Sequence, residues 1–334
     1  MRADVEGWFR RRTSAAADWP LPEVLARKGA TRVSVVLPAL DEEATVGRIV
    51  EAVRRDLVEA CPLVDEVVVV DSGSTDATAA VAAAAGARVV HRDDVLPALG
   101  SRPGKGEVLW KSLAATEGDV VVFVDADLTD FASHFVTGLV GPLLADPGLA
   151  LVKGCYERPL GTGRSVSPGG GGRVTELVAR PLLGLHWPEL AGVVQPLAGE
   201  YAGRRAVLEA LPFTGGYGVE VGLLVDVLEA CGLDAIAQVD LGRRSHRHQD
   251  DAALGRMASA VAQTVLDRLV RQGRLALVDD PVTELVQFTR GAGAAGATAA
   301  GRYRAETHDV AVGHRPPIRD VPGYRDRHVP APAP

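Results

Sequence analysis

The stretch Asp119-Val120-Val121-Val122-Phe123-Val124-Asp125-Ala126-Asp127 decides the fold. Its unbroken apolar run, 120–124, is rich in β-branched side chains and predicts a strand buried on both faces, as in the middle of a parallel sheet. Asp125 and Asp127 follow at the end of the strand, where open α/β sheets bind ligands. Residues two apart on an extended chain point the same way, so both carboxylates can meet one hard cation, Mg²⁺ or Mn²⁺. The alternatives are a solvated acidic pair and a helix N-cap.

The composition indicates a globular protein. The chain has 334 residues, of which 47% are hydrophobic and 24% charged, enough for one large domain or two modest ones. The net charge of −7 favours no nucleic-acid partner. No run of 18 apolar residues occurs, so we expect no membrane span. Arg10–Arg12 precede no apolar segment, so we expect no secretory signal.

The three cysteines, Cys61, Cys155 and Cys231, are isolated in the sequence. An odd count without a Cys-x-x-Cys pair predicts reduced, buried thiols and no zinc site. Reduced thiols favour a cytoplasmic location.

Strands and helices alternate in the first 91 residues, which predicts half of a doubly wound α/β sheet. Proline, acidic and glycine positions mark where these elements begin or end. The predicted elements are a strand over Val33–Leu37 that stops at Pro38, a helix opened by Asp41–Glu43, a strand over Val67–Val70, an alanine-rich helix ending at Gly86, and a strand over Ala87–His91.

The remaining elements are predicted from the same periodicities. They are helices from about Glu107 to Thr116, His134–Leu144, from near Arg173, Val219–Cys231 and Leu254–Val270, and strands over Ala150–Tyr156, Val193–Tyr201 and Ala235–Leu241. Residues 1–30 look polar and irregular, with a short helix near Leu21–Arg27, and are expected to form an arm. The sequence after Gly291 is first Gly/Ala-rich and then Pro/Arg-rich, so we expect a mobile tail that is dispensable for catalysis.

Three predicted strands end in acidic segments along one edge of the sheet. They read Pro38-Ala39-Leu40-Asp41-Glu42, Asp71-Ser72-Gly73-Ser74 and Asp125-Ala126-Asp127. Their order and spacing resemble the nucleotide-sugar-binding half of GT-A glycosyltransferases, an α/β fold. Lys105, between glycines and ahead of a helix, is a natural diphosphate contact, although it could be an ordinary exposed lysine. The Walker A loop and the Gly-x-Gly-x-x-Gly dinucleotide fingerprint are both absent from the sequence.

Longer strings narrow the resemblance. Residues 102–107 (Arg-Pro-Gly-Lys-Gly-Glu), 171–177 (Gly-Gly-Arg-Val-Thr-Glu-Leu), 216–220 (Gly-Tyr-Gly-Val-Glu) and 245–247 (Ser-His-Arg) resemble glucosyl-3-phosphoglycerate synthases of actinobacteria, over roughly residues 31–275. The resemblance implies a retaining transfer of glucose from UDP-glucose, or another NDP-glucose, to the 2-hydroxyl of D-3-phosphoglycerate, for methylglucose lipopolysaccharide synthesis. It also implies a homodimer and a Mg²⁺ or Mn²⁺ cofactor.

The same resemblance assigns roles to individual residues. Donor contacts are expected from Pro38, Ala39, Leu40, Glu42, Ser72, Lys105, Asp125, Ala126 and Asp127. Acceptor contacts are expected from Gly172, Arg173, Thr175, Arg244 and His248. Metal ligands are expected to be Asp127 and His246, and catalytic residues to be Glu220, Lys105 and Asp127.

Residue chemistry is compatible with these roles. The acceptor carries about three negative charges, and glycines 169–172 ahead of a helix bearing Arg173 and Thr175 form a suitable anion site. Arg244, His246 and His248 alternate after a strand and so share a face. A floppy glycine linker, a solvated turn, and a capping role for Glu220 are the alternatives. Asp41 and His248 stand where relatives usually carry Asn, which leaves fine contacts open.

We therefore predict four regions: an N-terminal arm (1–30), a nucleotide-sugar-binding half (31–150), an acceptor-binding half with the metal-binding histidine (151–275), and a tail (276–334). Three other functions stay open. They are a mannosyl or other GT-A transferase, including mannosyl-3-phosphoglycerate synthase or an inverting enzyme using a polyprenyl phosphate, a sugar nucleotidyltransferase, and a non-catalytic sugar-phosphate-binding protein.

Overall fold

One eight-stranded sheet organises the protein. The computed structural model describes residues 1–157, 172–244, 250–279, 281–291 and 303–324. The strand order in the sheet is β1-β9-β6-β7-β5-β2-β3-β4, and only β7 runs antiparallel to its neighbours. The strands are β1 (Thr13–Ala15), β2 (Val33–Ala39), β3 (Glu66–Asp71), β4 (Arg88–His91), β5 (Val120–Phe123), β6 (Leu151–Glu157), β7 (Tyr201–Arg204), β8 (Phe213–Thr214), β9 (Ile236–Arg243), β10 (Glu284–Arg290), β11 (Tyr303–Asp309) and β12 (His314–Arg315).

Helices cover both faces of the sheet. They are α1 (Ala3–Arg12), α2 (Leu21–Lys28), α3 (Val46–Val53), α4 (Thr78–Ala84), α5 (Lys105–Ala114), α6 (His134–Ala145), α7 (Arg180–His186), α8 (Arg205–Leu208), α9 (Val219–Cys231) and α10 (Asp251–Arg271). Short 3₁₀ or π segments extend several of these helices. The α/β fold with a mostly parallel sheet is confirmed.

Strand β5 lies in the interior, as its apolar run predicts. Val121 and Phe123 pack into the core on one face of the sheet, whereas Val120 and Val122 pack into the core on the other. All four side chains are fully buried. Strand β2 pairs with β5 on one side and with β3 on the other, so the three predicted acidic strand ends do share one edge.

The N-terminal arm is more regular than predicted. Helix α2 confirms the short helix expected near Leu21–Arg27, but the prediction of irregular structure is wrong for the residues before it. Residues 3–12 form α1, and β1 adds a parallel edge strand beside β9. The helix is held because Val5 and Trp8 are buried and the Trp8 indole Nε1 donates to the Ile236 carbonyl at 2.9 Å. Two buried apolar side chains hold this otherwise polar helix against the core. Because only two positions are apolar, the sequence shows no helical periodicity there.

Three smaller boundary predictions are also wrong. Strand β2 continues through Pro38, which pairs in register with Val70. The helix predicted from Asp41 begins at Val46, because Asp41 takes a left-handed φ of +56° that ends regular structure there. The strand predicted over Val193–Tyr201 begins only at Tyr201, and residues before it form turns.

The C-terminal tail was predicted to be mobile, and this is wrong for residues 303–324. Strand β11 pairs along β10, and β12 pairs with β8. Beyond β12, Ile318 and Tyr324 are buried against the core. We call residues Gly313–Tyr324 the C-terminal strap. The sequence concealed it because its buried side chains are separated by prolines, glycines and charges.

The cysteine prediction holds in part. All three cysteines are free thiols, and Cys155 is buried, but Cys231 is exposed at the end of α9. Within the ranges that the structure describes, no helix combines the length and the apolar character needed to cross a membrane.

Candidate active site

A cavity of about 510 Å³ opens where the strand ends of β2, β3 and β5 meet the starts of α5 and α9. Every candidate donor, acceptor and catalytic residue within the described ranges lines this cavity. These are Pro38, Ala39, Leu40, Glu42, Ser72, Lys105, Asp125, Ala126, Asp127, Gly172, Arg173, Thr175, Glu220 and Arg244. The two other candidates, His246 and His248, and glycines 169–171 lie outside the described residues.

The loops after β2 and β3 are tied together at one end of the cavity. The Asp41 carboxylate accepts a hydrogen bond from the Thr75 backbone N–H at 2.7 Å, and the Asp41 N–H donates to the Ser74 hydroxyl at 3.0 Å. Asp71 accepts hydrogen bonds from the backbone N–H groups of Gly73 and Ser74. The extra carboxylate at Asp41 is therefore engaged with a neighbouring loop, and Ser72 is the residue of this turn that lines the cavity.

Lys105 joins three elements in the wall of the cavity. Its ammonium Nζ lies 2.5 Å from Asp125 Oδ1 and 2.8 Å from Glu220 Oε1. Lys105 is the first residue of α5, Asp125 follows β5, and Glu220 is in the first turn of α9. Burial alone would lower the pKa of Lys105, but attraction to Asp125 and Glu220 raises it well above its usual value. The lysine is therefore a permanent cation at neutral pH.

Arg244 lies among carboxylates at the end of β9. Its Nη2 is 2.7 Å from Asp125 Oδ2, 3.0 Å from Glu200 Oε1 and 3.5 Å from Asp127 Oδ1. The side chain is 4% exposed, and its guanidinium stacks over the Tyr156 ring at 5.2 Å. Burial would lower the pKa of Arg244, but Glu200, Tyr156 and Asp125 raise it. Arg244 lines the cavity, and its guanidinium is paired there with Glu200 and with the aspartates that follow β5.

Sequence reasoning missed two buried ionic residues beneath the cavity, Glu200 and Lys153. Glu200 is fully buried and reaches Arg244 from the residue before β7. Lys153, in β6, donates to the Ala198 carbonyl at 2.6 Å and lies 4.5 Å from the Tyr201 ring centroid. A lysine inside the apolar run 150–156 was a usable signal for a buried charge, whereas Glu200 carried none.

Burial changes the acid–base character of this layer. Burial lowers the pKa of Lys153 to about 8, against an upward pull from Glu220, and Lys105 lowers it further. Burial and the charge of Asp125 raise the pKa of Asp127, opposed by Arg244. Both shifts arise because charged groups of both signs are crowded into a volume from which water is largely excluded.

The donor set at Asp127 fits a divalent cation. Asp127 Oδ1 is buried and accepts no hydrogen bond from the described residues, although Arg244 lies 3.5 Å away. Both Asp125 oxygens, by contrast, are engaged by Lys105 and Arg244. Within the described ranges no cluster of three or more histidine, cysteine or acidic side chains could hold a metal alone. A metal at Asp127 therefore needs further ligands, such as His246 or substrate oxygens.

The predicted acceptor residues border the other end of the cavity. Gly172, Arg173 and Thr175 precede and begin the helical segment that leads into α7. The guanidinium Nη1 of Arg173 is paired with Asp251 at the start of α10, and the Arg173 side chain is 45% exposed. Unlike Arg244, Arg173 keeps a partly solvated cation at the mouth of the cavity.

Comparisons with known proteins agree with this arrangement. Residues 34–179 match the glycosyl transferase family 2 model. The glucosyl-3-phosphoglycerate synthase of Mycolicibacterium paratuberculosis is 48% identical over 317 residues, covering 94% of this chain and 92% of that protein. Both relations are to glycosyltransferases, which confirms the predicted enzyme class.

Two solved structures share the whole fold. The glucosyl-3-phosphoglycerate synthase of Mycobacterium tuberculosis, in complex with Mn²⁺, uridine diphosphate and phosphoglyceric acid, superposes with a TM-score of 0.77 at 47% identity, covering 90% of this chain and 95% of that one. The mannosyl-3-phosphoglycerate synthase of Rubrobacter xylanophilus superposes with a TM-score of 0.84 at 39% identity, covering 95% and 98%. From the identity and coverage of the curated relative, and the agreement of fold, the chain belongs to the glucosyl-3-phosphoglycerate synthase family of glycosyltransferases.

Proposed function

We propose that this protein transfers glucose from UDP-glucose, or another NDP-glucose, to the 2-hydroxyl of D-3-phosphoglycerate, with retention at the anomeric carbon. The observation that carries the proposal is that every described candidate residue lines one cavity. The M. tuberculosis enzyme has been solved with Mn²⁺, UDP-glucose and phosphoglyceric acid, at 46% identity over 90% of this chain. That likeness supports the same pair of substrates here.

In the proposed reaction the bond between the glucose C1 and the β-phosphate oxygen breaks, and a bond between C1 and the acceptor oxygen forms. The acceptor attacks from the face that the diphosphate leaves, so configuration is retained. The proton of the acceptor hydroxyl passes to the departing phosphate, and UDP and glucosyl-3-phosphoglycerate are released. Glucosyl-3-phosphoglycerate would then serve methylglucose lipopolysaccharide synthesis.

Lys105 has the position and charge to stabilise the departing diphosphate. Its pKa is raised, so the ammonium stays charged, and it stands at the N-terminal end of α5, where backbone N–H groups also favour anions. Glu220 binds the same ammonium at 2.8 Å and so sets where it points. We assign Lys105 to the leaving group and Glu220 to orienting Lys105 beside the sugar.

A bound Mg²⁺ or Mn²⁺ would offset negative charge on the diphosphate. We assign Asp127 to hold it, because its buried Oδ1 accepts no hydrogen bond within the part of the chain that the structure describes, and His246 is proposed as a second ligand. Asp125 is assigned to the donor side because its two oxygens fix Lys105 and Arg244 in place.

The acceptor is assigned to the mouth of the cavity. Phosphoglycerate carries about three negative charges, and Arg173 with the helical segment after Gly172 offers matching donors. An exposed ion pair such as Arg173–Asp251 is worth only about 0–1 kcal/mol, so an anionic ligand can take over the guanidinium. Arg244, held by three carboxylates, is better suited to aligning the β5 end than to binding this anion.

Mannosyl transfer is the second candidate, favoured by the likeness to the R. xylanophilus enzyme over 95% of this chain. The donor sugar distinguishes the two functions, because both names state a glycosylated 3-phosphoglycerate as the product. The higher identity to glucosyl-3-phosphoglycerate synthases supports glucose as the first choice.

The deciding experiment incubates the purified protein with 3-phosphoglycerate, Mg²⁺ or Mn²⁺, and each of UDP-glucose, GDP-glucose, ADP-glucose and GDP-mannose. Product sugar and free NDP are both measured, with Asp127→Ala as the inactive control. Glucosyl product from an NDP-glucose supports the proposal. Mannosyl product alone supports the second candidate, and NDP release without any sugar transfer to 3-phosphoglycerate rejects both.

A homodimer is part of the proposal, supported by an exposed apolar face on the β10–β11 pair. Val286, Phe288 and Tyr303 lie on one face of this pair and are 48%, 67% and 56% exposed. A two-stranded sheet is marginally stable alone, and exposed apolar side chains on one face mark an interaction surface. Analytical ultracentrifugation of the wild-type protein and of Phe288→Asp tests this. The wild-type protein should sediment as a dimer and the variant as a monomer.

A cytoplasmic location is also proposed. Three free thiols, one of them exposed, suit a reducing compartment. Fractionation of cells carrying the tagged protein tests this, with activity expected in the cytoplasmic fraction.

A further inference from the structure

Arg315 of the C-terminal strap is bonded to the part of the chain that presents Lys105. Its Nε and Nη2 donate to both carboxylate oxygens of Glu107, at 2.8 and 2.7 Å, and both side chains are buried. The same guanidinium donates to the carbonyls of Leu99 and Gly100, at 3.3 and 3.1 Å. Glu107 is two residues beyond Lys105 in the first turn of α5. One side chain therefore joins the loop before Lys105 to the helix that Lys105 begins.

The strap also holds the segment that leads to Glu220. Strand β12 pairs with β8, and the Gly215 N–H donates to the Gly313 carbonyl at 2.7 Å. Arg102, in the loop before Lys105, donates to the His314 carbonyl at 2.7 Å. The chain then continues from Gly215 through a short turn into α9 and Glu220.

The backbones of these two segments approach each other closely. A Cβ on Gly104 would lie 2.7 Å from the Gly216 Cα, and a Cβ on Gly106 would lie 1.9 Å from the Thr214 carbonyl oxygen. No side chain fits between them, so their separation sets the Lys105–Glu220 distance of 2.8 Å. The strap contacts both the segment around Lys105 and the segment that leads to Glu220.

We propose that Arg315 is a positioning residue for the transfer reaction: through Glu107 and the β8–β12 pair it fixes Lys105 against Glu220. The proposal rests on the proposed function to the extent that Lys105 acts on the leaving diphosphate. Because the Arg315 guanidinium donates to both carboxylate oxygens of Glu107, it fixes the orientation of the Glu107 side chain as well as its distance. Without the guanidinium, Glu107 would keep a buried charge with its strongest partner gone, and the start of α5 would move to solvate it.

Arg315→Gln in the full chain tests the proposal, with Arg204→Gln as the matched control. The Arg204 guanidinium also bonds backbone carbonyls, those of Leu143, Asp146 and Leu149. Arg204 pairs with Val120, the first residue of β5, so it lies at the end of the strands away from the cavity. Both variants are expected to lower the thermal midpoint. Only Arg315→Gln is expected to lower kcat, by about ten- to a hundredfold, because small misplacements of catalytic groups have effects of this size.

The Michaelis constants separate positioning from lost binding. The KM for 3-phosphoglycerate should stay within about twofold of wild type, because no residue of the strap lines the cavity beside the acceptor residues. Arg315→Lys keeps the positive charge but cannot donate the paired hydrogen bonds of a guanidinium. Its kcat should lie between those of wild type and Arg315→Gln. Unchanged kcat in Arg315→Gln, with a lowered thermal midpoint like that of the control, would reduce Arg315 to a purely structural role. If Arg315→Gln does not fold, Arg315→Lys is judged by the same criterion.

Lys105→Ala distinguishes failure of this inference from failure of the proposed function. A fully active Lys105→Ala would overturn the assigned role of Lys105 itself. An inactive Lys105→Ala together with a fully active Arg315→Gln would overturn only the positioning inference. If Arg315 acts through Lys105, adding Arg315→Gln to Lys105→Ala should lower the residual kcat by less than about twofold.

Discussion

Two regions of the molecule converge on the cavity in different ways. The strand ends of β2, β3 and β5 line it with their own residues, such as Leu40, Ser72 and Asp127. The C-terminal strap places none of its described residues in the lining, yet it bonds both segments that carry Lys105 and Glu220. Lining a site and fixing its geometry are therefore separate tasks, and here they fall to opposite ends of the chain.

The largest effect is expected from the strand ends. Asp127→Ala should abolish transfer, lowering kcat/KM by at least about 10³-fold, since losing a metal-held charge costs several kcal/mol of transition-state stabilisation. The fold should survive, because Asp127 ends a strand and supports no core packing. Circular dichroism and a thermal melt check the fold, and product formation with Mg²⁺ or Mn²⁺ present checks the chemistry.

Asp127→Asn is the control for shape without charge. It should be nearly as inactive as the alanine variant and should need more metal for whatever turnover remains. Turnover near that of wild type in either variant would show that Asp127 does not hold the metal.

The second effect concerns the strap. A chain ending after Val312 should keep β10 and β11 but lose about ten- to a hundredfold in kcat, because Lys105 loses its support. It should also be less stable by about 3–5 kcal/mol, since the buried Glu107 loses the two-pronged pair with Arg315 and keeps only Lys111, at 3.8 Å. Denaturant unfolding and steady-state kinetics measure the two losses separately.

Adding Glu107→Gln to the truncated chain separates the loss of stability from the loss of kcat. Removing the buried charge should recover part of the stability while kcat stays low. A truncated enzyme with the wild-type kcat would mean that the strand ends determine the site without the strap. The expectation of a dispensable tail would then be right for residues 313–334.

The strand ends were predictable from the sequence because their signals are local. A buried apolar run such as 120–124 and the acids after it occupy consecutive positions, and parallel pairing brings such ends to one edge. The strap offered no such pattern. Arg315 reaches Glu107 across more than two hundred residues, and only the folded chain shows that these two charges meet in the core. Glu200 and its ion pair with Arg244 were hidden for the same reason.

The third effect tests the mouth of the cavity. Arg173→Ala should raise the KM for 3-phosphoglycerate by about ten- to a hundredfold, the loss of one charge-assisted hydrogen bond of about 1.5–3 kcal/mol. Donor binding, measured by calorimetry with UDP, should change little. Weaker UDP binding with an unchanged acceptor KM would reverse the assignment of Arg173.

Asp251→Asn is the companion variant for Arg173. Asp251 is exposed and pairs with Arg173, so replacing its carboxylate should remove one competitor of the acceptor for the guanidinium. The KM for 3-phosphoglycerate should then stay constant or fall. A rise like that of Arg173→Ala would mean that the pair itself, and not the arginine, builds the acceptor site.

The smallest effect is expected from Lys153, which lies beneath the strand ends and touches neither the strap nor the mouth of the cavity. Its pKa is lowered to about 8 in the folded protein, mainly by burial, whereas in the unfolded chain it should be near the usual value of about 10.4. Below pH 8 both states carry the proton, so the full cost of burying the charge opposes folding. Between pH 8 and the unfolded pKa the unfolded state binds more protons, so the contribution of Lys153 to stability should rise with pH.

Lys153→Met should remove that rise. Between pH 8 and 9 the free energy of unfolding of wild type should gain about 1 kcal/mol relative to the variant, measured by urea unfolding at each pH. Comparing the two proteins cancels the other groups that titrate in this range. A constant difference between them would mean that Lys153 keeps its proton through this range because Glu200, Glu220 and Asp125 hold it more firmly than burial opposes it. Lys153 would then stay charged together with Lys105 and Arg244, and the ion pairs beneath the strand ends would not change over this pH range.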